Sequence, residues 1–170
     1  MTSHIDATGE MDRFLSHYIL RLDAKGRVSV PAPFRAVLAR ESAEGVFCCP
    51  SLDRPAIEAG GRALLAEIEQ AVAGFPPFSE EREQVATALY GTSETLKMDG
   101  EGRVTLPDQL RDHAGIMDAV AFVGLGHKFQ IWAPDRFSAQ LSAATGKMRA
   151  LRKALSAQGA AVTKPHGARE

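Results

Sequence analysis

Twice in this chain an aspartate stands four residues ahead of an arginine, with a glycine just before the arginine: Asp23, Gly26, Arg27, and then Asp99, Gly102, Arg103. A carboxylate placed so across a turn can hold the guanidinium in one direction. A guanidinium held in this way suits fork-like hydrogen bonding to the O6/N7 edge of guanine or to a phosphate. Lys25, at the apex of the first turn, adds a charge that positions a phosphate without reading a base. Arg21 and Lys97 match each other ahead of the two aspartates and are candidate flanking contacts. The plainer alternative is a salt bridge that only braces its own turn.

Other site chemistries find little footing. Histidines at 4, 17, 113, 127 and 166 form no i,i+4 pair and have no cysteine at ligand spacing. Cys48 and Cys49 are adjacent, so they cannot supply a four-ligand zinc site; on a strand they point to opposite faces, and at least one is expected in the core. No serine sits in a G-x-S-x-G elbow and no carboxylate pair has an acid/base setting. No catalytic residue, metal or cofactor is expected. Gly124-Leu125-Gly126 lacks the third glycine of a nucleotide loop and reads as a hairpin turn.

The two Asp/Arg pairs belong to one repeated unit. Leu22 to Arg35 reads LDAKGRVSVPAPFR and Met98 to Arg111 reads MDGEGRVTLPDQLR, every position displaced by 76. Six positions are identical: Asp23/Asp99, Gly26/Gly102, Arg27/Arg103, Val28/Val104, Pro31/Pro107 and Arg35/Arg111. Random pairing would give about one. The duplication is real.

The unit predicts strand, tight turn, strand and short helix. Tyr18, Leu20 and Leu22 alternate with His17, Ile19 and Arg21, the period of a half-buried strand; Leu96 and Met98 do the same in the second copy. The Asp side chain accepts from a backbone N–H two residues on, and the Gly supplies a positive φ. Val28 to Val30 and Val104 to Leu106 return as strands that stop at Pro31 and Pro107. Helices follow over Ala32 to Ala39 and over Asp108 to Ala114, the latter stopped by Gly115. Arg35 and Arg111 on these helices are read as braces for the helix or a subunit contact.

Each copy continues with two short apolar runs, Val46 to Cys49 and Ala56 to Glu58 in the first, Ala119 to Val123 and Lys128 to Trp132 in the second. Longer helices are expected over Gly61 to Ala73, over Glu80 to Tyr90 with Ser79 as N-cap, and from Pro134 onward. Phe75-Pro76-Pro77-Phe78 reads as a linker. The expected organisation is a disordered tail at 1–12, a first repeat at 13–78, a second at 79–146, and a basic helix and tail at 147–170, disordered from about 159.

Apolar residues make up 45% of the 170, a globular composition, and no run is long enough to span a bilayer. The N-terminus has neither the basic start nor the apolar core of a secretory signal, so a cytoplasmic protein is expected. The net charge of −1 hides a segregation: −3 over residues 1–12, +5 over 13–40, −9 over 41–135 and +6 over 136–170. Such a chain can show a polyanion one basic surface and turn an acidic one away.

A duplicated strand–turn–strand–proline–helix unit, together with VGLGHKFQIW from Val123 to Trp132, resembles the MraZ family of bacterial transcriptional regulators over about residues 13–145. The resemblance implies an α+β fold of two pseudo-symmetric AbrB/SpoVT-like swapped-hairpin repeats forming a small β-barrel with flanking helices. It also implies a nucleoid-associated, sequence-specific DNA-binding protein that assembles as a ring-shaped homo-oligomer on repeated promoter boxes of the division and cell-wall gene cluster. Double-stranded DNA and further copies of the chain are then the partners, with no membrane and no small-molecule substrate. The family's DxxxR motif carries the DNA contact onto Asp23/Arg27 and Asp99/Arg103. Glu101 stands where the first copy has Lys25, so the second turn attracts phosphate less. The rival from another class is a ring-forming protein-interaction scaffold whose Arg turns serve assembly only. An RNA-binding role has less support, since few aromatics are free to stack bases.

Overall fold

Period-two burial and the paired prolines lay out the strands as the residue types require. The computed structural model describes residues 13–41 and 43–162; the tail expected at 1–12 lies outside them, as does the chain beyond 162. The first copy supplies β1 (His17–Arg21), β2 (Arg27–Ser29), α1 (Ala32–Arg40), β3 (Val46–Pro50), β4 (Ala56–Gly60) and α2 (Arg62–Ala73). Residues 74–79 lead to α3 (Glu80–Leu89), where the Ser79 hydroxyl accepts from the Arg82 N–H as an N-cap. The second copy adds β5 (Glu94–Leu96), β6 (Arg103–Thr105), α4 (Asp108–Ala114), β7 (Ala119–Gly124), β8 (Phe129–Trp132) and α5 (Pro134–Val162). Gly115 closes α4 at φ 65°. The helix α5 runs on to Val162, past the point where disorder is expected from sequence.

The two copies are interlaced. A six-stranded antiparallel sheet has the order β1-β7-β8-β4-β3-β5, and a separate ribbon pairs β2 with β6. Read from the other end with the copies exchanged, the sheet order is unchanged. Each copy's first strand therefore pairs in the other copy's half: β1 with β7, β5 with β3. The ribbon is tied in the same crossed way, for the Val30 N–H bonds to the Gly102 carbonyl and the Leu106 N–H to that of Gly26. The fold is α+β with antiparallel sheets. Among the described residues no ladder joins β1 to β5, so hydrogen bonding does not close the expected barrel.

One core lies between ribbon and sheet. Val28 and Val30 from the first copy and Val104 and Leu106 from the second are buried with Phe34, Phe122, Phe129 and Ile131. Phe34 of α1 meets Phe14 edge-on at 5.2 Å and Phe129 at 4.9 Å, geometries that add about 0.5–1.5 kcal/mol per pair beyond burial. A second cluster on the other side of the β3–β4 pair joins Cys49 to Leu64, Ile68 and Val72 of α2, with Val85, Ala86 and Leu89 of α3 against it. Cys48 points into the first cluster and Cys49 into the second, so both thiols are buried on opposite faces of one strand. The described residues form two units: one ends at Pro134, and the other, beginning at Asp135, is the body of α5.

Candidate nucleic-acid interface

The strand alternation that buries Val28 and Val104 against each other turns their neighbours outward. In the β2–β6 register Val28 faces Val104, Arg27 faces Thr105 and Ser29 faces Arg103. Arg27 and Arg103 thus stand on the same outer face as diagonal neighbours, Cα atoms about 7–8 Å apart. The Asp/Arg turns at the start of each ribbon strand are brought together by this pairing.

Each turn is built the same way. The Asp23 Oδ1 accepts from the Lys25 and Arg27 backbone N–H groups, both at 2.9 Å, and Oδ2 accepts from the Arg27 Nε at 2.6 Å. In the second turn Asp99 Oδ1 takes the Glu101 and Arg103 N–H groups at 2.9 and 3.0 Å, and Oδ2 takes the Arg103 Nε at 2.8 Å. Gly26 and Gly102 both adopt φ 76°, which lets the chain turn back within the Asp-to-Arg span. Each aspartate is held below its ordinary value, first by the arginine's backbone N–H. The salt-bridge reading is therefore correct as geometry. It leaves the arginine's chemistry open: Nε is spent on the carboxylate, while among the described residues Nη1 and Nη2 of Arg27 have no hydrogen-bond partner. Both guanidinium side chains remain about a third exposed.

The turns differ in one residue that matters. Glu101 Oε2 lies 3.5 Å from the Arg103 Nε, so Arg103 faces two carboxylates where Arg27 has one. The Arg103 pKa is raised, first by the hydrogen bond to Asp99 and also by the charges of Glu101 and Asp23. Lys25, the residue equivalent to Glu101, is exposed at its turn. Arg21 and Lys97 are exposed as well, each two residues ahead of a turn aspartate.

Comparison with known proteins decides what kind of protein carries this face. Residues 89–156 match the family model described as "MraZ protein, putative antitoxin-like". The chain is 60% identical over 145 residues to the transcriptional regulator MraZ of Xanthobacter autotrophicus, covering 85% of this chain and 92% of that protein. It is 54% identical over 164 residues to that of Methylocella silvestris, covering 94% and 100%. The chain belongs to the MraZ family of transcriptional regulators. This membership sets it among regulators rather than enzymes. Among the described residues no helix is long and apolar enough to cross a membrane, and no group of three or more His, Cys, Asp or Glu side chains gathers as a metal site would require.

Two further arginines shape the face in a way the sequence alone did not reveal. Arg35 of α1 donates from Nη1 to the Glu101 carbonyl at 3.2 Å, and Arg111 of α4 lays its guanidinium over Gly26. Each arginine therefore reaches across to the opposite copy's turn. Arg111 also bonds Asp108 within α4. The equal spacing of the two Arg residues from their turns was a visible signal; that the partner lies in the other repeat depends on the interlaced topology. Gly124 to Gly126 forms the β7–β8 hairpin, with Gly126 at φ 88° and the Leu125 N–H bonded to the Lys128 carbonyl.

Proposed function

We propose that this MraZ family member binds duplex DNA sequence-specifically, through the outer face of the β2–β6 ribbon, to regulate the promoter of the division and cell-wall gene cluster from within the bacterial nucleoid. The observation that carries the reading is the pair of Asp-braced arginines side by side on one exposed face of a two-stranded ribbon. A major groove about 12 Å wide accepts a two-stranded ribbon. With Nε tied to aspartate, the guanidinium enters the groove with its direction already set, so less freedom is lost on binding. Arg27 and Arg103 are the base-reading candidates. Asp23 and Asp99 aim them, Lys25 contacts phosphate, and Arg21 and Lys97 flank the same backbone.

The acids of the two turns balance Lys25, Arg27 and Arg103, so one ribbon neutralises few phosphates. A homo-oligomeric ring that presents the ribbon to repeated boxes raises affinity through effective concentration. Residues 13–78 and 79–146 are its two swapped-hairpin repeats, with 147–170 a basic extension. The single core shared by ribbon and sheet supports a barrel-like packing of the repeats.

The test is fluorescence anisotropy of the full chain on duplex from its own upstream region, against a scrambled duplex and an RNA competitor. Preference for the upstream duplex is expected, with log K falling linearly in log[salt] by about 0.9 per phosphate contacted. Equal binding to scrambled DNA, or a flat salt response, contradicts the proposal.

A further inference from the structure

The helix α5 carries an apolar stripe that stays exposed among the described residues. Leu141, Met148, Leu151 and Leu155 are all exposed, and their spacing follows the a and d positions of a heptad. Over Leu141 to Leu155 the stripe is about 21 Å long. Arg152 lies one turn beyond Met148 and Lys147 one turn before Leu151, so a base borders each side of it. No acid occurs between residues 141 and 162. Pairing α5 with another α5, in either direction, would set these bases against one another. The stripe calls for an acidic, partly apolar partner.

The same chain exposes such a surface at α3. Its first turn carries Glu80, Glu81 and Glu83, and none of its residues is fully buried. At its start Phe78 is fully exposed at φ 63°, a conformation an aromatic residue seldom adopts without constraint. Val72, Pro77, Phe78 and Ala86 line an open groove there with Glu83 at its rim; Arg82, also on it, is tied back to the Phe75 carbonyl.

We infer that α5 of one copy docks on the acidic α3 groove of another copy, Leu and Met side chains entering the groove and Lys147 and Arg152 meeting Glu80 and Glu83. The contact joins two different surfaces, so it is heterologous and propagates from copy to copy, closing into a ring where the rotation allows. The inference rests on the homo-oligomer proposed above and names the surfaces that make it.

Sedimentation velocity on the full chain tests this with three variants: Lys147→Glu with Arg152→Glu, Glu80→Lys with Glu83→Lys, and all four together. Each reversed pair is expected to raise the concentration for half-assembly by at least about tenfold, and the fourfold variant to recover most of that loss. Leu151→Ser, on the exposed stripe and involving no charge, must weaken assembly too, with helix content unchanged by circular dichroism. Wild-type assembly in either reversed pair, or in Leu151→Ser, overturns the contact, as does a fourfold variant that fails to recover. If the wild-type chain itself is monomeric at all concentrations, the homo-oligomer falls together with this contact; if it assembles and the variants match it, only the contact falls.

Discussion

Arg27 and Arg103 stand on the same face of the β2–β6 ribbon, each with its Nε held by the aspartate of its own turn, Asp23 at 2.6 Å and Asp99 at 2.8 Å. The two turns are therefore one electrostatic patch, and the residue that unbalances it is Glu101. Arg27 has a single carboxylate on its Nε, whereas Arg103 has a second at 3.5 Å. Replacing Glu101 by Lys restores the arrangement of the first turn. The expected result is duplex affinity about three- to tenfold tighter at low salt, and a salt slope steeper by about one, read by anisotropy titrations at several ionic strengths.

Gly102 is under a double constraint. Its φ of 76° disfavours any L side chain, and an added Cβ would meet the Arg35 side chain. Gly26 shares the φ, but its Cβ would find Arg111 at an ordinary 3.5 Å. Gly102→Ala is expected to cost about 1–2 kcal/mol or more, and Gly26→Ala less than Gly102→Ala. Chemical denaturation midpoints check the order of the two.

Acid should loosen the turns before the core. Asp23 and Asp99 sit below their ordinary value of 3.8, held there first by the backbone N–H groups of Arg27 and Arg103. A carboxylate with a depressed folded-state pKa contributes stability that is full above the unfolded value and is lost as pH falls through the folded one. Stability attributable to the turns is expected to hold above about pH 4–5 and to fall below it, and Asp23→Asn with Asp99→Asn should flatten that acid limb in pH-resolved melting curves.

The cysteines answer to burial. Desolvation pushes the Cys48 thiol up to about 12 and the Cys49 thiol up to about 11. Because the thiolate is the reactive form, alkylation of the native chain at pH 8 is expected to be at least about a hundredfold slower than in denaturant. Comparable rates would mean that the β3 strand opens readily.

Much of the local architecture was legible because it is local. An Asp that accepts from residues two and four ahead, a Gly at positive φ and a Pro that ends the strand need only neighbours in sequence, and both turns follow them. The Ser79 cap and the Gly115 stop are local for the same reason. What sequence could not supply is which strand pairs with which. The periodicity of β1 identifies a strand but carries no information that its partner is β7 of the other repeat, since any alternating apolar strand satisfies that pattern. The roles of Arg35 and Arg111 depend on that pairing, and so does the diagonal approach of Arg27 and Arg103. The burial of Cys49 depends on α2 and α3 covering the far side of β3, a tertiary event, so only one of the two thiols was securely assigned to a core.

The most direct measurement is anisotropy of the Arg27→Ala/Arg103→Ala double variant on the upstream duplex at fixed salt, paired with sedimentation to report its assembly. Loss of both forks is expected to weaken binding by at least about tenfold per fork, from about 1–3 kcal/mol each, with assembly unchanged. Wild-type affinity in the double variant, or a loss of binding that merely follows loss of assembly, would contradict a DNA-reading role for the two arginines.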